Sequence, residues 1–281
     1  MSLKLFRVAC LSLLILLPAC TTTTQVGATG VNRRQFMLLS NEQVNAMSLQ
    51  SYQTELGDGR KKGILNADKA NLERIRRIAD RLIPQTVVFR PDALGWPWEV
   101  NLETSDQINA YCAPGGKIMF YTALINQLHM SDDEIAAVMG HEMSHALREH
   151  GRERMSQAYA EQVGMSLVGA VTGMDAQQAQ LAQTVMQVGL TLPHSRQQES
   201  EADVLGLELA ARAGYDPRAA ISLWQKMDQL GGSGQPAWLS THPAAPDRQR
   251  NLQARLPQVL PLYEAARRNN TGTAKRIVPR T

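Results

Sequence analysis

The stretch His141-Glu142-Met143-Ser144-His145 lies inside a segment with the marks of an α-helix. Ser131 and Glu134 form a capping box before it, and Gly151 after it is a typical helix stop, so we predict one helix over residues 132–150. Histidines four residues apart project from one helix face, about one turn apart. The fold is therefore expected to be arranged around this helix.

Two imidazoles placed one turn apart can both reach a Zn²⁺ ion at roughly 2.0–2.1 Å. Glu142 is rotated from His141 by about 100° along the helix, so it lies beside such a metal without ligating it. There it can hold a water molecule and take its proton. A helix with two solvent-facing histidines is the alternative, and the central position in a capped helix argues against it.

A catalytic zinc normally takes three protein ligands and leaves a fourth position for water. One class of sites takes a third histidine six residues after His145, but Gly151 occupies that position here. His150 is one residue out of register. We interpret it as the last residue of the helix, where the helix dipole favours a histidine.

A second candidate source of the third ligand is Glu199-Ser200-Glu201-Ala202-Asp203, in a helix that Ser195 and Gln198 cap. Glu199 and Asp203 are four residues apart and share a helix face. Glu199 as ligand and Asp203 as the carboxylate that orients a metal-bound histidine would satisfy both needs on one face. Spacing alone leaves Glu201 open as the ligand.

These two motifs together resemble the HtpX-like and CAAX-prenyl-protease family of zinc metallopeptidases (gluzincins). The resemblance covers residues 67–256 and is strongest to the single-domain periplasmic lipoprotein proteases of that family. It implies a zincin-like metallopeptidase domain, an endopeptidase activity and one Zn²⁺ per chain. The further matching segments are Asn109-Ala110, Pro114-Gly115-Gly116-Lys117-Ile118, and Ser240-Thr241-His242-Pro243 with Arg248.

The resemblance also assigns roles to single residues. It makes Glu199 the third metal ligand and gives Asp203 a supporting or proton-donating role. It suggests that His242 can occupy the fourth zinc position and hold the enzyme latent, because four protein ligands leave no activated water. A loop histidine before a proline is the alternative reading of His242.

In such proteases a strand beside the metal is a sheet edge that pairs with the substrate backbone. The resemblance makes 117–121 this edge strand, with Lys117, Ile118 and Met119 facing the substrate. Asn109 and Ala110 would lie near the cleft. A purely structural hairpin around Pro114-Gly115-Gly116 is the alternative.

The predicted fold class is α+β, one mostly helical domain with a small sheet whose edge strand borders the site. Short strands are predicted at 86–89, 98–102, 109–112 and 117–121. Helices are predicted at 40–56, 67–83, 132–150, 195–214 and 216–230, with a short one after Pro246. Residues 155–190, rich in Met, Gly and Ala, are left open between core, cleft cover, membrane contact and oligomer contact.

The N-terminus indicates export and lipid anchoring. A positive start, a short apolar run and Leu17-Pro18-Ala19-Cys20 resemble a bacterial lipoprotein signal over residues 1–20, with Cys20 the lipidated residue. Thr21 is not the aspartate that retains such proteins in the inner membrane, so the periplasmic side of the outer membrane is the expected location. A flexible tether is predicted at 21–39, the metallopeptidase domain at 40–268 and a polar tail at 269–281.

Charge and composition exclude some function classes. The formal net charge of +3 over 281 residues, without a dense basic run, gives no reason to expect nucleic-acid binding. The leading hypothesis is a zinc endopeptidase that cuts misfolded or misassembled envelope proteins. A zinc-site protein that acts as a periplasmic chaperone or binding module is the alternative; a structural zinc scaffold is disfavoured, since closed sites prefer Cys and His ligands.

Overall fold

The computed structural model describes residues 20–172, 193–229, 237–243 and 247–269; for residues 164–172 it describes the backbone alone. The described part is mostly helical and carries two small sheets. The strands are β1 (Cys20–Thr21), β2 (Gln35–Phe36), β3 (Glu99–Glu103), β4 (Ala110–Ala113) and β5 (Lys117–Tyr121). The helices are α1 (Asn41–Lys61), α2 (Lys69–Leu82), α3 (Thr122–Gln127), α4 (Asp132–Leu147), α5 (His150–Thr172), α6 (Arg196–Arg212), α7 (Ala219–Gln229), α8 (Ala237–Thr241) and α9 (Arg248–Asn269).

The three-stranded sheet has the order β3-β5-β4, with β3 parallel and β4 antiparallel to β5. The central strand is therefore β5, and its five residues are all buried. This corrects the prediction that Lys117, Ile118 and Met119 lie on the substrate edge. The predicted hairpin is present, but its first strand, β4, is the edge, because residues 99–103 pair with the second strand on its other side.

The strand predicted at 86–89 is wrong, because Ile83–Val88 forms a 3₁₀-helix. Pro84 stands in its first turn, and the Thr86 hydroxyl donates to the Ile83 carbonyl at 2.7 Å, so local bonds replace a strand ladder. A second 3₁₀-helix follows at Pro91–Gly95. The β-branched residues of this stretch thus misled the prediction.

Helices α4 and α6 cross at two glycines, and this crossing positions the site. A Cβ atom on Gly206 would lie 2.6 Å from the His141 backbone nitrogen, and one on Gly140 would lie 2.8 Å from the Gly206 carbonyl oxygen. No other residue type allows the backbones to approach this closely. The close approach brings His141 and His145 against Glu199.

The capping boxes predicted at Ser131 and Ser195 are both present. However, α4 ends at Leu147, and a new helix begins at His150. Glu149 adopts a left-handed conformation with φ of 50°, which turns the chain between the two helices. His150 is thus the first residue of α5 and not the end of α4, and Gly151 is not a helix stop.

The C-terminal part also differs from the prediction. The helix after Pro246 is long, with 22 residues, and not short. The short helix α8, just before His242, was not predicted. Its Trp238 N–H donates to the Ile108 carbonyl at 3.0 Å, so the long-range contact to the β3–β4 connection fixes this helix more than its own sequence does.

Residues 21–39, which we call the N-terminal strap, pack against the domain, whereas the sequence predicted a flexible tether. The carboxylate of Glu208 on α6 accepts bonds from the Ala28 and Thr29 backbone N–H groups at 2.9 Å and from the Thr29 hydroxyl at 2.8 Å. A Cβ on Gly27 would lie 2.4 Å from Phe89, so glycine permits this docking. The Thr- and Gly-rich composition suggested mobility, but it supplies the donors that this buried acid needs.

Within the described ranges, no helix is long and apolar enough to cross a membrane. Three predictions lie outside the described residues: the signal segment before Cys20, residues 173–190 of the Met-rich region, and nearly all of the polar tail. Those predictions stay predictions.

Candidate metal centre

Four buried side chains from three elements converge between α4 and α6. They are His141, His145, Glu199 and His242. The His141 Nε2 atom lies 3.1 Å from His145 Nε2 and 3.2 Å from His242 Nδ1. Glu199 Oε1 lies 3.3 Å from His145 Nε2 and 3.0 Å from His242 Nδ1. One atom of each residue therefore points to a common centre.

The spacing of these atoms fits a tetrahedral zinc site. Ligands at 2.0–2.1 Å from a Zn²⁺ ion are separated from one another by about 3.3 Å in a tetrahedron. The closest approaches here are 3.0–3.3 Å. Two imidazole Nε2 atoms that face each other cannot both be protonated, so their lone pairs suit a metal. Among described atoms, Glu199 Oε2 makes no hydrogen bond of good geometry, although Arg248 Nη1 is 2.7 Å away.

His141 is held from behind by a carboxylate. Its Nδ1 atom lies 3.0 Å from Asp203 Oδ1. Arg248 grips the same carboxylate with both Nε and Nη2, at 2.6 and 2.8 Å. Such a carboxylate fixes the tautomer and orientation of a ligating imidazole. The geometry favours this orienting role for Asp203, and Arg248 on α9 was not predicted to contribute to it.

His145 is held by a different arrangement. Its Nδ1 atom lies 2.9 Å from Nδ1 of His150, and His150 Nε2 lies 3.1 Å from Glu201 Oε2. Glu201 faces away from the four convergent ligand atoms toward Arg148 and His150, so the structure does not favour it over Glu199 as the ligand. His150 is fully buried, which a helix-terminal histidine in solvent would not be.

Glu142 lies beside the convergent ligand atoms, as the helical geometry predicts. Trp238 donates its indole N–H to Glu142 Oε1 at 2.7 Å, and His242 Nε2 is 3.4 Å from the same oxygen. Trp238 and His242 belong to one turn of chain, with ring centroids 4.9 Å apart. This turn therefore contacts both the ligand group and the predicted base.

Burial and charge shift several pKa values in the centre. Burial lowers the pKa of His145 well below its usual range and also lowers that of His150, so both favour the neutral form. Burial raises the pKa of Glu199, but the positive charge and hydrogen bonds of the neighbouring histidines outweigh it and lower the pKa. A neutral His145 and an ionised Glu199 are the protonation states that a metal requires. Burial lowers the pKa of His242, but the charges of Glu142 and Glu199 outweigh burial and raise it.

A cavity of about 210 Å³ opens beside the ligand group. Its lining includes Glu142 and His145 of α4, Asn109 and Ala110, and Tyr52 of α1. A cleft of this kind can admit a peptide segment next to the predicted base.

The open edge of β4 borders this cavity. Tyr121 N–H donates to the Asn109 carbonyl at 3.2 Å, and bonding alternates along an antiparallel pair. The backbone groups of Ala110 and Cys112 therefore point away from β5. The side chain of Asn109 accepts the Ala110 N–H at 3.0 Å. Asn109 and Ala110 thus lie where the sequence predicted, while Lys117, Ile118 and Met119 do not.

The family model of Peptidase family M48 matches residues 69–256. The chain belongs to peptidase family M48. This confirms the family resemblance, the α+β zincin-like fold class and the prediction of a zinc-dependent metallopeptidase site.

The individual relatives that match the chain are also named as metalloproteases. The chain is 38% identical over 183 residues to the mitochondrial metalloendopeptidase OMA1 of Arabidopsis thaliana, covering 63% of this chain and 36% of that one. It is 27% identical to the metalloprotease LoiP of Escherichia coli over 82% of this chain and 86% of LoiP. The metalloprotease YcaL of the same organism is 23% identical over 72% of this chain and 82% of YcaL. The chain spans half or less of the length of the OMA1 proteins from A. thaliana and two yeasts.

Sequence reasoning missed several residues of the centre. Trp238, Arg148, Arg33 and His194 contribute contacts or lining that no motif signalled, because each reaches the site through tertiary packing. His194 packs on His145 with ring centroids 3.9 Å apart and has a buried Nδ1 without a hydrogen-bond partner among described atoms. For His150, the only sequence signal was its position five residues after His145.

Proposed function

We propose that this chain is a zinc-dependent endopeptidase in which His141, His145 and Glu199 hold one Zn²⁺ and Glu142 is the general base. The observation that carries the proposal is the convergence of three nitrogens and one carboxylate oxygen at tetrahedral spacing, with Glu142 beside them. Membership of family M48 and metallopeptidase relatives support it. Asp203 acts through His141 and does not touch the substrate.

Zinc bound in this centre supplies Lewis-acid chemistry, polarising a carbonyl and lowering the pKa of a water molecule. Glu142 accepts a proton from the attacking water and then delivers it to the amide nitrogen of the leaving chain. Trp238 orients Glu142 by its hydrogen bond in the resting chain. The walls of the cavity, from α1 and the β4 edge, hold the peptide against these groups.

The substrate backbone pairs with the open edge of β4. Ala110 and Cys112 offer the outward backbone groups, and the substrate displaces the Asn109 side chain from the Ala110 N–H. Backbone pairing recognises the extended backbone of a substrate and not its side chains. An unfolded segment is therefore a better substrate than a folded surface.

The same proposal assigns His242 the fourth ligand position in the resting chain. Its Nδ1 atom is 3.2 Å from His141 Nε2 and 3.0 Å from Glu199 Oε1, so it fills the place that a water needs. Movement of α8 removes His242 from the centre and Trp238 from Glu142 together. The chain is then a latent enzyme that opens on a signal.

Substrate class and location complete the proposal. Misfolded or misassembled proteins of the bacterial cell envelope are the proposed substrates. Lipid on Cys20, an exposed residue, anchors the chain on the periplasmic side of the outer membrane. The sequence of residues 1–20 supports this assignment.

Cleavage of casein by the purified full chain tests the proposal, with zinc content measured in each sample. Wild type, Glu142→Gln and His242→Ala are compared. We expect Glu142→Gln to retain zinc and lose at least about 10²-fold in rate, the usual contribution of a general base. We expect His242→Ala to cut faster than wild type.

Other results would redirect the assignment. Equal cleavage by Glu142→Gln would remove Glu142 from the mechanism. Zinc-loaded chains that never cut, including His242→Ala, would favour a chaperone or binding module with a closed metal site.

A further inference from the structure

The Nδ1 atoms of the two α4 histidines have different hydrogen-bond partners. His141 Nδ1 meets a carboxylate directly, at 3.0 Å from Asp203. His145 Nδ1 meets a second imidazole, at 2.9 Å from His150 Nδ1. A carboxylate appears one step further on, where His150 Nε2 lies 3.1 Å from Glu201 Oε2.

With a metal bound by His145 Nε2, only one arrangement of protons satisfies this series of contacts. A metal ligand must offer a lone pair, so the proton of His145 is then on Nδ1 and donates to His150. His150 then accepts at Nδ1 and carries its own proton on Nε2, which donates to Glu201. Each of these nitrogens is then either a donor or an acceptor, and the series of hydrogen bonds ends at the Glu201 carboxylate.

Glu201 is itself fixed by two arginines. Arg148 donates to Glu201 Oε2 from Nε and Nη2, at 3.0 and 2.9 Å. Arg33 of the N-terminal strap forms an ion pair with Glu201 Oε1 and another with Glu153. Arg148 also donates to the Arg33 carbonyl at 3.1 Å. His150 and Arg148 are fully buried, so their contacts with Glu201 are shielded from water, whereas Arg33 is partly exposed.

The network joins four separate parts of the chain. His145 and Arg148 lie on α4, His150 on α5 and Glu201 on α6. The left-handed turn at Glu149 is what places His150 behind His145. The strap adds Arg33 from a separate part of the chain, at 120 or more residues from its partners.

We propose that His150 and Glu201 are positioning residues for the metal ligand His145, and that Arg33 of the strap completes this relay. The relay fixes the Nδ1–H tautomer of His145 and aims its Nε2 at the metal, as Asp203 does for His141. Docking of the strap therefore sets the metal affinity of the centre. This inference rests on the zinc site of the proposed function.

A second metal ion is the competing explanation of the same residues. His145, His150 and His194 each place one nitrogen within 4.8 Å of the others. A metal there would take the Nδ1 lone pairs of both His145 and His150 and would break their mutual hydrogen bond. The number of zinc ions per chain separates the two explanations.

The test is the zinc affinity of the purified full chain, measured by competition with a chromogenic chelator, without any hydrolysis assay. His150→Leu and Glu201→Gln interrupt the relay at different points, and Arg33→Gln removes its strap end. Arg34→Gln is the matched control, since Arg34 is the neighbouring arginine and bonds only the Cys20 carbonyl among described groups. Thermal unfolding of each metal-free chain reports any loss of fold.

We expect one zinc per chain in the wild type. His150→Leu and Glu201→Gln should weaken zinc binding about 10- to 100-fold, the usual cost of losing an outer partner of a ligating histidine. Arg33→Gln should weaken it less, in the same direction, and Arg34→Gln should leave it unchanged. A purely structural role would lower the unfolding temperature of the metal-free chain and leave zinc affinity as it was.

Spectroscopy gives a second readout that does not depend on affinity. In the zinc-loaded wild type, the imidazole N–H protons of His145 and His150 should be protected from exchange in proton NMR spectra. His150→Leu should remove both signals. Zinc affinities of the relay variants within twofold of wild type, or two zinc ions per chain, would overturn the relay alone; a wild-type chain that binds no zinc would overturn the proposed function as well.

Discussion

Asp203 shows how a residue that is not itself a proposed metal ligand controls one that is. Its carboxylate contacts His141 Nδ1 and is gripped by Arg248 on the other side. Burial raises the pKa of Asp203, but the charge of Arg248 and the His141 contact outweigh this effect and lower it. The lowered pKa favours an ionised carboxylate that accepts the His141 N–H.

Removal of the negative charge of Asp203 should lower the zinc affinity of the centre. Asp203→Asn is expected to weaken zinc binding by about 10- to 100-fold, because the amide holds the imidazole less firmly. Isothermal titration with zinc measures the change. Asp58→Asn, at an exposed carboxylate paired with Lys61, is the control and should bind as wild type does. Equal affinities for both variants would contradict the orienting role of Asp203.

At the scale of elements, the crossing of α4 and α6 depends on Gly206. A methyl group there would lie 2.6 Å from the His141 nitrogen, which is backbone and cannot move aside. Gly206→Ala should therefore cost about 1–3 kcal/mol of unfolding free energy and should also weaken zinc binding. Urea unfolding and a zinc titration measure these two effects.

Gly57 on α1 provides the matched control. No described atom lies within 4 Å of the position that its Cβ would take, so Gly57→Ala should stabilise the helix by about 0.5–1 kcal/mol. A Gly206→Ala chain as stable as the wild type would show that the helices do not need this close contact.

The strap depends on Glu208, which is fully buried. Burial raises its pKa, but the hydrogen bonds from Ala28, Thr29 and Arg212 outweigh burial and lower it. A lowered folded-state pKa means that Glu208 stabilises the fold above pH 4.5, and that this contribution is lost as the pH falls through the folded value.

Glu208→Gln should therefore lower the unfolding free energy at pH 7 by about 1–3 kcal/mol, the cost of a charge-assisted hydrogen bond, and flatten the loss of stability below pH 4.5. Urea unfolding from pH 3 to pH 7 measures both. Glu161→Gln, at an exposed position of α5, should follow the wild-type curve. If Glu208→Gln follows it as well, the strap is not held by this charge.

The sequence was sufficient for features that depend on local spacing. The two capping boxes, the face shared by His141 and His145, and the face shared by Glu199 and Asp203 follow from helical periodicity. The edge strand was misassigned because strand order is a long-range property: pairing of β3 with β5 places β4 outside. His150, Trp238 and Arg33 were missed for the same reason, since each reaches the centre from a separate element.

At the scale of the whole molecule, the metal centre joins α4, α6 and the turn at His242, and the strap joins it through Arg33. A ligand that binds only the folded chain stabilises it by mass action. Zinc at about 100 times its dissociation constant contributes about 2.7 kcal/mol. For a chain of this size that corresponds to roughly 5–10 °C in unfolding temperature.

Removal of zinc should therefore lower the unfolding temperature of the full chain by that amount. Calorimetry before and after dialysis against a chelator, followed by zinc restoration, measures the change and its reversal. Glu199→Ala lacks a ligand and should show a much smaller difference. An equal unfolding temperature of the wild-type chain with and without zinc would mean that the centre does not bind the metal in the folded state.

The central claim is that one zinc in the His141–His145–Glu199 site makes this chain an endopeptidase. Its most direct test adds zinc stepwise to the metal-free full chain of the His242→Ala variant and follows casein hydrolysis and bound zinc together. We predict that the rate rises in proportion to bound zinc and stops rising at one equivalent. Hydrolysis by the metal-free chain, or one tightly bound zinc with no hydrolysis, would contradict the claim.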